Sequence, residues 1–111
     1  MDLEFSDSRI GGWQVLVIRG ELDLHTAPGM GDRIAALMAD GADRIALDLT
    51  GVPFMDSSSL GVIVAALKRL REQGGELALV GASGSPAKVL SITGMDRVIP
   101  THDDVDGLLR G

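Results

Sequence analysis

From Trp13 onward the chain alternates between two hydrophobic periods, and this alternation constrains its fold more than any other feature. Trp13-Gln14-Val15-Leu16-Val17-Ile18 is a short β-rich run bounded by Gly11-Gly12 and Gly20, the pattern of a largely buried strand. Leu3 and Phe5, alternating with polar neighbours, suit an edge strand beside it. Met30, Ile34, Leu37 and Met38 then recur at helical spacing. Before them stands Thr26-Ala27-Pro28, with Thr26 suited to cap a helix and Pro28 to occupy a first turn, where its missing N–H is not needed. Beyond Gly41, Ile45, Leu47 and Leu49 alternate as a strand. A second helix is predicted from Ser57 to Glu72, with Leu60, Ile63, Val64, Leu67 and Leu70 on one face and Gly74-Gly75 as its stop. Leu77, Leu79 and Val80 make another strand. Ser85-Pro86, read as cap and first-turn proline, opens a short helix closed at Thr93-Gly94. Val98-Ile99 reads as a further strand and Thr101 as the lead of a last helix.

Strands and helices in this order predict an α/β domain whose sheet of four or five strands is mixed but mostly parallel, all except the first. At 111 residues and 45% hydrophobic, the chain holds one core, so residues 1–111 are read as one domain. With one tryptophan and no tyrosine, that core is aliphatic. A net charge of −6 argues against nucleic acid as a partner, since neutralising phosphates takes clustered Lys and Arg. There are no cysteines, so neither disulfides nor thiolate metal sites hold the fold. The start Met1-Asp2-Leu3-Glu4-Phe5 lacks the basic and apolar regions of a signal peptide, and no segment has the length of a membrane span. A cytoplasmic protein without membrane insertion is expected.

Chemistry concentrates in Val52-Pro53-Phe54-Met55-Asp56-Ser57-Ser58-Ser59-Leu60-Gly61, where an apolar approach meets a row of hydrogen-bonding side chains at a helix start. Asp56 suits the cap, which leaves Ser57 and Ser58 on an exposed first turn with unpaired backbone donors nearby. Two readings are open from local chemistry: a well-capped helix start and nothing more, or a place where a phosphate is electrostatically welcome. His25 and His102 lack the spacing of a metal site, and Gly81-Ala82-Ser83-Gly84-Ser85 lacks the lysine of a phosphate-binding loop, so no metal and no cofactor are assigned. A hydrolase triad of Ser57, His25 and an aspartate is disfavoured because no Gly-x-Ser-x-Gly surrounds Ser57, and no catalytic residue is assigned.

Phe54-Met55-Asp56-Ser57-Ser58-Ser59-Leu60-Gly61 resembles the signature of the STAS domains of bacterial anti-sigma-factor antagonists, which runs Phe/Tyr-Met-Asp-Ser-Ser/Thr-Gly-Leu-Gly. Gly20-Glu21-Leu22-Asp23 with Thr26-Ala27, Gly74-Gly75 and Thr93-Gly94-Met95 also match segments of that family, so the likeness covers nearly the whole chain. The resemblance implies a sheet with about four helices packed on one side. It also implies a protein that, unphosphorylated, captures a kinase-type anti-sigma factor and so frees the sigma factor. The kinase, which binds the ATP, then phosphorylates the serine after the aspartate, here Ser57, and a phosphatase resets it. Asp23, Thr26, Met55, Asp56, Ser58, Ser59 and Leu60 are the expected partner-binding residues. Met55 and Leu60 are expected to offer apolar surface. Ser59 stands where the family has glycine, adding a hydroxyl to the expected contact surface and a competing phosphate acceptor. The alternative within the same fold is an accessory subunit of a lipid or anion transport complex; the Asp56-Ser57 pair favours signalling.

Overall fold

The computed structural model describes residues 3–110. Strand β1 (Glu4–Ile10) turns through Gly11-Gly12 into β2 (Trp13–Arg19), and both turn glycines have positive φ, as a two-residue hairpin requires. Helix α1 (Ala27–Ala39), β3 (Arg44–Gly51), α2 (Ser57–Glu72), β4 (Glu76–Val80) and α3 (Gly84–Thr93) follow. A short 3₁₀ turn (Met95–Arg97), β5 (Thr101–His102) and α4 (Val105–Arg110) complete the chain. The five strands lie in the order β1-β2-β3-β4-β5. β1 is antiparallel to β2 and every other pair is parallel, as the strand–helix alternation predicts.

The sheet buries both faces unequally. Leu16, Ile18, Ile45, Leu47, Leu49, Leu77 and Leu79 point to one face, where Met30 and Ile34 of α1, Leu60, Ile63, Leu67 and Leu70 of α2, and Leu90 of α3 close over them. Trp13, Val15, Ala46, Ala78 and Val80 point to the other face and meet Leu108 of α4. The expectation of about four helices on one side is therefore corrected: three share a face and α4 crosses to the opposite one. The physical reason is that β2 and β4 are apolar at successive positions, so water must be excluded from both faces.

The end of the chain also departs from the sequence reading. Val98-Ile99 is not a strand; Ile99 is a buried anchor behind the 3₁₀ turn, and the fifth strand is Thr101–His102, beside Leu79 and Val80. Thr101 does not lead a helix. Asp104 does, its carboxylate accepting the Gly107 N–H at 2.7 Å. Among the described residues no helix is long and apolar enough to cross a membrane.

Candidate functional site

Two loops at the C-terminal ends of β2 and β3 are stitched together by backbone hydrogen bonds. The Leu22 N–H donates to the Phe54 carbonyl at 2.9 Å and the Asp56 N–H to the Leu22 carbonyl at 3.0 Å, making a parallel bridge between Leu22 and Met55. Leu22 and Met55 are themselves buried, which locks the loops onto the core. Asp23 is thereby held beside the start of α2, although more than thirty residues separate it from Asp56 along the chain.

Asp56 caps α2 from an extended backbone conformation, as its position predicts. Its Oδ1 takes three donors: the Ser58 hydroxyl at 2.5 Å, the Ser59 N–H at 3.2 Å and the Ser59 hydroxyl at 3.3 Å. These donors, the Ser58 hydroxyl first, hold the carboxyl below the ordinary carboxylate value against an opposing effect of desolvation. An ionised group so stabilised is a poor proton acceptor; Asp56 organises the helix start. Ser57 differs from its neighbours. It is exposed, and its hydroxyl has no hydrogen-bond partner among the described residues.

Asp23 is the centre of the other loop. Its Oδ1 accepts the N–H groups of His25 and Thr26, each at 2.9 Å. Its carboxyl lies below the ordinary value, chiefly through the Thr26 N–H. Thr26 does not cap α1 with its side chain, contrary to the sequence reading. The hydroxyl instead donates to the Glu21 carbonyl at 2.7 Å and accepts the Asp23 N–H at 3.0 Å, because the loop turns back on itself before the helix begins.

Of the expected contact residues, the structure leaves Asp23, Thr26 and Asp56 partly exposed and Ser58 exposed. Three others are corrected. Met55, Ser59 and Leu60 are buried, Ser59 completely, so they present no surface to a partner and the Ser59 hydroxyl is closed to a phosphate donor. The bridge to Leu22 pulls Met55 inward, and the third and fourth positions of α2 turn toward the sheet. The apolar surface comes from residues the sequence reading passed over. Leu24 is 69% exposed and Phe54 43%, one in each of the two stitched loops. For Leu24, a large apolar side chain in the polar stretch 21–26, where no core periodicity claims it, was the available signal; Phe54 stands in the quoted motif but was given no contact role. Ser85 was also missed: its hydroxyl accepts the Met55 N–H at 3.2 Å and lies 3.3 Å from the Met55 carbonyl, tying α3 to the site instead of capping its own helix. Among the described residues no cluster of three or more His, Asp or Glu side chains is gathered for a metal ion.

The STAS domain model matches residues 5–108. The chain belongs to the STAS domain family. Among curated relatives, this STAS domain is 37% identical over 90 residues to the anti-sigma-B factor antagonist of Bacillus subtilis, covering 81% of this chain and 82% of that one. It is 34% identical over 96 residues to the anti-sigma-B factor antagonist of Listeria monocytogenes, covering 86% and 83%. Among solved structures, a candidate anti-sigma factor antagonist from Thermotoga maritima superposes with a TM-score of 0.89 at 30% identity, covering 96% of this chain and 92% of that one. The match spans 82% and 83% of the two curated relatives and 92% of the solved chain, so it covers most of the length of each.

Proposed function

We propose that this STAS domain is an anti-sigma factor antagonist whose partner is a kinase-type anti-sigma factor, and that phosphorylation of Ser57 ends their association. The reading rests on one observation above the others. Three hydroxyls share the first turn of α2; Ser58 is bonded to Asp56, Ser59 is buried and bonded to Asp56, and Ser57 alone is exposed and unbonded among the described residues. A kinase needs an acceptor hydroxyl that can rotate into line with the γ-phosphate, and Ser57 has that freedom. In the transfer the γ-phosphoryl group of the partner's ATP joins Ser57 Oγ, the hydroxyl proton is released, and ADP leaves. Hydrolysis by a phosphatase restores the serine. The names of the Bacillus and Listeria relatives support the class of partner, and a partner that uses ATP and acts on a sigma factor puts the chain in the cytoplasm. The chain itself performs no catalysis in this scheme.

Leu24 and Phe54 supply the apolar contact, with Asp23 and Asp56 at its edge. The phosphate is tolerated by the helix, because it sits at the positive end of the α2 dipole. It is not tolerated by the complex. Burying an unpaired charge at an interface costs roughly 2–5 kcal/mol, which weakens binding by something like thirty- to several-thousand-fold.

The test is capture of the cognate kinase with and without ATP, followed by peptide mass spectrometry. One phosphate on Ser57 is expected. Ser57→Ala binds and is not labelled, Ser57→Asp binds poorly, and the melting of Ser57→Asp stays within about 1 kcal/mol of the parent. Phosphate on Ser58, or capture that persists undiminished after full labelling, would overturn the reading.

A further inference from the structure

The two edges of the sheet are finished differently. β5 closes one side with only Thr101 and His102, a length that offers little edge to pair with. β1 closes the other with seven residues, and its register with β2 runs unbroken from Glu4 opposite Arg19 to Ile10 opposite Trp13. It contains no proline, no lysine and no bulge, three of the devices that blunt an exposed edge.

The hairpin turn decides which main-chain groups face outward. A two-residue turn closes on a hydrogen-bonded pair, here Ile10 and Trp13, and bonded and non-bonded pairs alternate along an antiparallel ladder. Glu4, Ser6, Ser8 and Ile10 therefore spend their N–H and C=O groups on β2. Those of Phe5, Asp7 and Arg9 point away from the sheet and have no backbone partner among the described residues. Arg33 of α1 stands over this edge, 3.8 Å from the Asp7 carboxylate and 5.4 Å from the centroid of the Phe5 ring.

We propose that β1 pairs with β1 of a second copy of this chain, antiparallel about a two-fold axis through Asp7, so that two sheets become one. A continuous sheet keeps the same face up in both copies, so each outward residue meets an outward residue. With the axis at Asp7, Asp7 opposes Asp7 of the second copy and Phe5 opposes its Arg9. Charge selects this occupant. The two Asp7 carboxylates alone would repel, but each copy brings its own Arg33 beside them, which leaves the cluster neutral. Arg9 meets the Phe5 ring of the second copy, a favourable cross-strand pair. On the other face Ser6 opposes Ser8, two small hydroxyl side chains. The strand is thus its own complement, as a two-fold interface requires. The Ser57 turn belongs to α2 and takes no part, so this inference stands apart from the phosphorylation reading.

Amide hydrogen exchange is followed by NMR from about 0.1 to 2 mM, where a dissociation constant near 1 mM is visible. Exchange at Phe5, Asp7 and Arg9 is expected to slow as concentration rises, with sedimentation moving toward the dimer. Ser6 and Ser8, already bonded to β2, change little. Asp7→Pro removes an outward donor from each copy and no bond to β2, and is expected to weaken the dimer about tenfold. The chain has no cysteine, so Asp7→Cys tests the register. Facing Cα atoms about 5.5 Å apart lie within disulfide reach, and mild oxidation is expected to give a covalent dimer. Ser6→Cys and Arg9→Cys are offset by two and four residue steps, about 7 Å or more along the strands, and are expected to stay uncrosslinked. Amide spectra check the folding of each variant; if Asp7→Pro does not fold, the cysteine series decides. Exchange independent of concentration, crosslinking of Ser6→Cys or Arg9→Cys as readily as Asp7→Cys, or edge protection only when another protein is added would overturn the proposal.

Discussion

At the scale of single residues, Asp56 carries the most weight, because one carboxylate oxygen both caps α2 and occupies the Ser58 and Ser59 hydroxyls. Removing it leaves a first-turn N–H without its partner, so Asp56→Ala is expected to lower stability by about 1 kcal/mol, read from the denaturant midpoint. Asp56→Asn keeps a side-chain oxygen in the same place and is expected to cost less. The two effects separate by pH. The folded carboxyl lies below its ordinary value, so its charge-dependent stabilisation is complete above the unfolded value of about 3.9 and is lost as pH falls through the lower folded value. The gap between the parent and Asp56→Asn is therefore constant near neutrality and closes below about pH 4. A gap that widened in acid would contradict the assignment. Ser59 makes a complementary case. Its hydroxyl is completely buried, so Ser59→Gly, which restores the family pattern, is expected to leave affinity for the kinase partner unchanged. Its cost is about 0.5–1 kcal/mol of stability, from added backbone freedom in the first turn. A changed affinity in binding titrations would mean that the turn opens in the complex.

At the scale of elements, the proposed docking face of α2 can be separated from what the fold requires. Gly61 is exposed one turn beyond Ser57, and a Cβ placed on it meets nothing within 4 Å. Nothing in the fold requires glycine there, and Gly61→Ala is expected to raise stability by up to about 1 kcal/mol in thermal unfolding. The added methyl lies on the same helical face as Ser57, so capture of the partner is expected to weaken as stability rises; a variant improved in both would show that the face is not used. The sequence made most of these elements legible. The apolar alternation of β2, β3 and β4 and the Asp56 cap are local signals, and α2 spans Ser57–Glu72 as its periodicity predicts. What stayed hidden was non-local. Thr26 and Ser85 have the residue type of caps, but their hydroxyls are taken by Glu21 and Met55, and no local pattern shows that competition. Met55 and Leu60 are apolar beside a polar motif, which reads equally as a contact surface or as core. The bridge from Leu22 decides for Met55, and the orientation of α2 against the sheet decides for Leu60. Thr101 reads as a helix lead because two residues of β5 are too few to show alternation.

Across the whole molecule, the sheet separates two bodies of packing that differ in thickness. One face is covered by α1, α2 and α3, and holds Leu47 among many fully buried neighbours. The other is covered only by α4, with Leu108 its buried contribution. Truncating a core leucine removes its transfer free energy and adds a cavity cost that depends on how far the surroundings collapse, about 2–5 kcal/mol in all. Around Leu47 the sheet and three helices hold one another in place, so Leu47→Ala is expected near the top of that range. Leu108 sits on a short terminal helix, where relaxation is easy, so Leu108→Ala is expected near the bottom, about 2 kcal/mol. Denaturant unfolding with an unchanged slope checks both values. The two variants also differ in what they disturb. Leu47 packs in the same core that anchors Met55 and Leu60 beneath the Ser57 turn. Leu108 packs on the far face with Trp13. Labelling of Leu108→Ala by the kinase partner is accordingly expected to match the parent, while the Trp13 emission moves to longer wavelength as water reaches the ring. Should Leu108→Ala lose labelling while still folded, the two faces of the sheet are coupled, and the separation of phosphorylation from packing on the far face fails.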